Sequence, residues 1–350
     1  MDKGTRTCRA FAADILADIL SRLSPNTRRR LRLVCRHWRH VVDKRTATDL
    51  RSRAKTLVVT RDTAYVFDDL STARPSRELL DRDTAALYKD MSVVGTCNGL
   101  ICLCDNHGGA ITLVNPVIGE TLSIPPLPPP YVDGPSNNRH QTYCFTYHPA
   151  TGRYRIVHVP GYVDRVLVFT LGEASWRDVT TGGQPRAKCD LDAGIVSAAD
   201  GKVYFALEGR EARIMAFDLD DENLTPIKPL PDILSRLGSW VLREVHGRLA
   251  IAFTHVSQTL IKTEVWVMVG GTKWNCWYIL ELHKQRHQEL IPWHLRQRLA
   301  FPHFSHGSKY VLTRNISDSL YVHTLSDDTR KAQHGVVRVS ETNQGTRPGP

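Results

Sequence analysis

Two hydrophobic periods divide the chain. From Phe11 to Val42 apolar residues recur at helical spacing. Ile15, Leu16, Ile19, Leu20 and Leu23 fall at i, i+1, i+4, i+5 and i+8, the broad stripe of an amphipathic helix. Asp14 and Asp18 sit toward its N-terminal half, where carboxylates favour the helix dipole. Ser24-Pro25 then supplies an N-cap followed by proline at the first helical position, which predicts a second helix carrying Leu31, Leu33 and Val34. Cys35, Trp38, Val41 and Val42 continue a third stripe. Three helices in about 35 residues bury too little surface to be stable alone, so the segment is expected to dock on a partner or on the rest of its own chain.

From Leu57 onward the period changes to alternation. Runs such as TLVVT, LICLC, YCFTY, RVLVFTL, KVYFAL, RLAIAF and EVWVMV are rich in β-branched and aromatic residues and are bounded by turn signals. Asn98-Gly99, Asp200-Gly201, His246-Gly247 and His306-Gly307 each precede such a run. Asn115-Pro116 with Gly119, and His148-Pro149 with Gly152, repeat an x-Pro-x-x-Gly turn. The markers recur roughly every 40 to 60 residues, with one gap near twice that, the scale of a four-stranded propeller blade. The predicted fold class is α+β and multidomain. A small three-helix module occupies residues 8–50, an all-β propeller of about six blades occupies 56–340, and 341–350 is a disordered tail. Val336 to Val339 is expected to pair beside Leu57 to Thr60 and close the ring. Ser123 to His140, proline-rich and then polar, reads as a surface loop between strands.

The net charge of +10 changes the picture once it is located. Residues 1–55 hold 15 Lys and Arg against 5 Asp and Glu, while the remainder holds 31 of each. The partner of the N-terminal segment should therefore be acidic, a nucleic acid or an acidic protein surface. Arg28 to Arg32 has no interleaved aromatics to stack on bases, which places nucleic acid second. The eight cysteines match no paired CxxC zinc spacing and are read as reduced thiols of a cytoplasmic or nuclear protein. There is no run of 18 or more apolar residues, so no transmembrane helix is expected, and the N-terminal stretch has no apolar core of a secretory signal.

Linked residues in both halves carry a resemblance. Asp14-Ile15-Leu16, Asp18-Ile19-Leu20-Ser21-Arg22-Leu23 and Val34-Cys35-Arg36-His37-Trp38 resemble the F-box, with Phe11-Ala12 standing where that family has Leu-Pro. MSVVGTCNGLICLC, LVNPVIGETLSIPPLP, FTYHPATGRYRIVHV, VFTLGEASWRDV and MAFDLDDENLTPIKPLP are similar, in that order, to plant F-box-associated, kelch-like propellers. The resemblance implies a substrate-recognition subunit of an SCF-type (Skp-cullin-F-box) ubiquitin ligase with no catalytic residue of its own. It implies a Skp-type adaptor, a cullin reached through the adaptor, and a target protein held by the propeller. The residues implied for the adaptor are Phe11, Ile15, Leu16, Leu20, Pro25, Leu33, Val34 and Trp38, each of which the thin motif also needs for its own core. The basic run would steer association with an acidic adaptor, raising the on-rate more than the affinity.

Independent chemistry is sparse. No GxxxxGK[ST], GxSxG, HExxH or GxGxxG occurs, and no cofactor is implied. His283 and His287 stand at i, i+4 with no convincing set of further ligands, so they are read as surface histidines and no metal site is assigned. The surrounding Trp- and His-rich stretch, with Trp274, His283, His287 and Trp293, is the first region expected to face a target. The alternatives are a basic nucleic-acid-binding protein and a propeller-type enzyme or glycan-binding module.

Overall fold

The structure is a computed structural model that describes residues 13–21, 31, 34–45, 56–59, 64–67, 77–80, 91–116, 119–129, 139–148, 151–162, 165–180, 187–209, 211–235, 238–257, 259–283, 303–304, 310–314, 320–325 and 332–335. Residues 1–55, with 305–308, form one unit and the remainder forms a second, larger one.

In the first unit α1 (Ala13–Ser21) and α2 (Arg36–Arg45) are described. The helix expected from Ser24-Pro25 lies outside the described residues apart from Leu31, which is helical. Val34 N donates to Leu31 O at 3.1 Å, and Arg39 N donates to Cys35 O at 3.0 Å, opening the first turn of α2. Leu16 and Leu20, one turn apart on α1, meet Val41 and Val42 of α2 in a small closed core flanked by Ala13, Ala17, Leu31 and Trp38.

The second unit is a succession of antiparallel meanders. The first described sheet has three strands, β1 (Thr56–Val59), β2 (Ala64–Phe67) and β3 (Arg77–Leu80), in chain order. Five four-stranded sheets follow. These are β4–β7 (Met91–Cys97, Leu100–Asp105, Ile111–Asn115, Glu120–Ser123) and β8–β11 (Tyr143–His148, Arg153–His158, Arg165–Thr170, Arg177–Thr180). Next come β12–β15 (Cys189–Ser197, Lys202–Leu207, Arg213–Asp218, Leu224–Pro226) and β16–β19 (Ser239–Val245, Arg248–Val256, Leu260–Val269, Lys273–His283). The last is β20–β23 (His303–Phe304, Tyr310–Arg314, Leu320–Leu325, Ala332–Gly335). The first strands β4, β8, β12, β16 and β20 each neighbour the next across the sheets. The result is a β-sheet-rich, propeller-like domain. Val336–Val339, His306-Gly307 and the tail from 341 lie outside the described residues.

Alternation along the strands has a specific cause here. Each interior sheet has a neighbour on both faces, so both parities of a strand must be apolar. Val166 and Val168 of β10 face Val203, Phe205 and Phe217 of the next sheet, while Leu167 and Phe169 face Cys102, Cys104 and Leu113 of the previous one. In β13, Val203 and Phe205 look back and Tyr204 looks forward to Leu242 and Ile251. Runs such as RVLVF are thus unbroken because two cores claim them in turn.

The turn chemistry follows the sequence signals. Asn98-Gly99 joins β4 to β5 and His246-Gly247 joins β16 to β17, all four residues having φ between 50° and 84°. Positive φ at both central positions gives the backbone twist that a two-residue hairpin needs. The x-Pro-x-x-Gly turns close alike: Gly119 N donates to Asn115 O and Gly152 N to His148 O, both at 2.9 Å.

Candidate functional site

The first unit presents its apolar residues on two sides of one helix. Leu16 and Leu20 point into the closed core, whereas Ile15 (56% exposed) and Ile19 (45%) lie one residue earlier on the outward side, interleaved with exposed Asp14 and Asp18. Val34 is 55% exposed ahead of α2. Isolated exposed apolar residues are ordinary, but two isoleucines one turn apart on so short a helix form a ready docking stripe. On α2, Arg36, Arg39 and His40 are exposed at i, i+3 and i+4, so one face of that helix is basic.

The residues expected to meet an adaptor therefore separate. Ile15 and Val34 face outward, Leu16 and Leu20 fill the internal core, and Trp38 is half-buried against it. Phe11, Pro25 and Leu33 lie outside the described residues. Ile19 belongs to the outward stripe although it was not among the residues implied for the adaptor; its spacing of four from Ile15 was the available signal.

In the larger unit the expected target-facing stretch resolves only in part. The Trp274 indole N–H donates to the Pro229 carbonyl at 2.9 Å, and the ring packs beside Leu242 and Met268, so this tryptophan is tied into the fold. His283 ends β19 opposite Leu260, its side chain outside the description, as are His287 and Trp293. A different aromatic is outward: Tyr162, 47% exposed, in the connection between β9 and β10. Its backbone makes an isolated bridge with Lys188, at the entry to β12. The Pro160-Gly161 turn before it was the only signal in the sequence.

Polar side chains, some buried and some at the surface, link the sheets. His148 places Nδ1 2.7 Å from Thr151 Oγ1 and Nε2 2.8 Å from Asp220, in the turn after β14. Arg155 donates to the Leu219 carbonyl of the same turn, and Arg177 pairs with Glu222. His158 is 1% exposed with its ring 4.6 Å from that of Tyr143, and burial drives its pKa down to about 4. Burial likewise pushes Cys104 up to about 11 and both Cys144 and Cys189 to about 12, with Cys102 raised further still. These thiols behave as small hydrophobes rather than nucleophiles. Among the described residues no three His, Cys, Asp or Glu side chains converge as a metal site.

Comparison with known proteins meets this geometry at both ends. The F-box domain model matches residues 13–47, and that of the F-box associated beta propeller domain matches residues 56–343. The chain belongs to the F-box-associated β-propeller family. F-box protein At3g07870 of Arabidopsis thaliana is 25% identical over 297 residues, covering 73% of this chain and 68% of that protein. F-box protein At2g43440 of the same plant is 26% identical over 281 residues, covering 76% of this chain and 65% of its own length. Of solved structures, the Cps50 (Swd1) beta-propeller domain of Myceliophteria thermophila aligns with 80% of this chain and 82% of its own at 12% identity, but a TM-score of 0.43 carries no argument. In the terms of the family, the helical unit is the F-box and the meandering sheets are its associated propeller. The resemblance first read from Asp14–Trp38 and Met91–Asp232 holds along the chain.

Proposed function

We propose that this chain is the substrate-recognition subunit of an SCF-type ubiquitin ligase. Its F-box tethers it to a Skp-type adaptor and, through that, to a cullin. Its propeller, of about six blades, holds a target protein near the ubiquitin-charged enzyme carried elsewhere in the complex. The contribution to catalysis is proximity, with no reacting side chain from this subunit. The site of action is the cytoplasm, the nucleus or both.

The observation that carries the reading is the outward Ile15–Ile19 stripe on a helix whose inward residues are already satisfied by Val41 and Val42. The test is a pull-down of purified Skp-type adaptor by the full chain. Ile15→Asp with Ile19→Asp should abolish capture while the melting transition stays in place. Undiminished capture would refute the docking assignment.

A further inference from the structure

We infer that copies of this chain bind one another through the F-box, α1 of one seated on α2 of the next, and that the adaptor competes with this contact. The competition rests on the docking reading above; the self-association rests on the helices alone. The core between the two helices fixes which way their other sides point. On α1, Leu16 and Leu20 face inward, and exposed Asp14 and Asp18, two residues before each, lie just over half a turn away. On α2, Trp38, Val41 and Val42 face the same core, and exposed Arg36, Arg39 and His40, again two residues before each, lie opposite. The helices share one core, so their charged backs look away from each other.

The two backs are opposite in charge. α1 holds Asp14 and Asp18 and no Lys or Arg. α2 holds Arg36, Arg39, Lys44 and Arg45 against Asp43. Asp14 and Asp18 stand one turn apart, as do Arg36 and His40, with Arg39 on the same face, so carboxylates and cations meet at matched spacing. Apolar side chains accompany both sets, Ile15 and Ile19 beside the carboxylates and Val34 ahead of the cations. An acidic, apolar face thus has its complement on the same molecule but turned the other way, where only a second copy reaches it. That complementarity, rather than exposure, names the occupant. The two faces are different surfaces, so the contact is heterologous and copies add head to tail. The positive excess of residues 1–55 repels copies at long range, but physiological salt screens it beyond about 8 Å, while paired side chains act at contact. A patch of two helix faces belongs with the small, transient contacts. An adaptor on the Ile15–Ile19 side of α1 covers one half of every such contact and keeps the chain single.

The test is sedimentation equilibrium of the full chain from about 1 to about 100 μM, where weak contacts become populated. The average mass of the parent should climb with concentration without settling at that of a dimer. Asp14→Lys with Asp18→Lys should hold the chain to one copy, as should Arg36→Glu with Arg39→Glu, since each leaves two faces of like charge. An equimolar mixture of these two variants should associate again. Excess purified Skp-type adaptor should return the parent to one chain with one adaptor. A parent of constant single-chain mass overturns the inference, as does association that survives either swap, or a mixture that stays monomeric. Oligomers that the adaptor joins without dissolving overturn the competition. Loss of adaptor capture by Arg36→Glu with Arg39→Glu while the mass still climbs assigns the α2 face to the adaptor and overturns the self-association. A parent that captures no adaptor refutes the ligase reading, and the mass measurements then decide the self-association by themselves.

Discussion

The indole N–H of Trp176 donates to the carbonyl of Pro125, 51 residues earlier in the chain, at 2.7 Å. The bond crosses from the β8–β11 sheet to the segment leaving β7. The same device recurs two sheets on, where Trp274 reaches Pro229. In both places an isoleucine ahead of the proline, Ile124 directly before Pro125 and Ile227 two residues before Pro229, caps its own sheet, Ile124 N to Ile111 O and Ile227 N to Ile214 O, each at 2.9 Å. The departing chain is pinned first to the sheet it leaves and then to the next one.

Trp176→Phe should keep most of the packing and lose the donor, leaving the Pro125 carbonyl without that partner. A loss of about 1–3 kcal/mol is expected. Trp274→Phe should cost less, since that bond lies in a more exposed place. Thermal melts of the two variants against the parent check the order.

Leu16→Ala and Leu20→Ala remove side chains that complete the F-box core, and each should cost about 2–5 kcal/mol. The helical unit should then lose protease resistance while the propeller keeps its own. Ile15→Asp with Ile19→Asp should show the reverse pattern, a normal digest with no adaptor capture. Limited proteolysis followed by pull-down separates the two.

His158 introduces a dependence on acid. Its pKa is lowered from 6.5 to about 4 by burial, so the unfolded chain binds the proton more readily than the folded one. Stability is therefore full above pH 6.5 and falls as pH drops from there toward 4, by about 3 kcal/mol from this group. His158→Phe, which keeps a ring against Tyr143, should flatten that part of the pH–stability curve. Urea melts between pH 7 and 4 read it.

Cys102, Cys104, Cys144 and Cys189 should resist alkylation at pH 8 in the folded chain and label once denatured, because burial holds each as a thiol. Partly exposed Cys35, Cys97 and Cys276 should label ahead of them. Mass spectrometry of iodoacetamide-treated protein distinguishes them.

Much of this architecture was legible because the local signals are strong. Asn-Gly and x-Pro-x-x-Gly mark turns whatever lies around them, and apolar runs bounded by them can be little but strands. The docking face was harder. Ile15, Leu16, Ile19 and Leu20 make one continuous stripe in the sequence, and only packing against Val41 and Val42 decides which pair is inside. The tie of Trp274 to Pro229 was not legible, because a backbone carbonyl 45 residues away leaves no trace in side-chain pattern. Tyr162 was passed over because it sits in the connection between β9 and β10, where no strand periodicity marks a side chain as outward.

The two-sided strands have an evolutionary corollary. Since Val166 and Val168 serve one junction while Leu167 and Phe169 serve another, a change at one residue is felt by a single neighbouring sheet. Each seam can drift and be repaired within itself, like one joint in a hoop of staves.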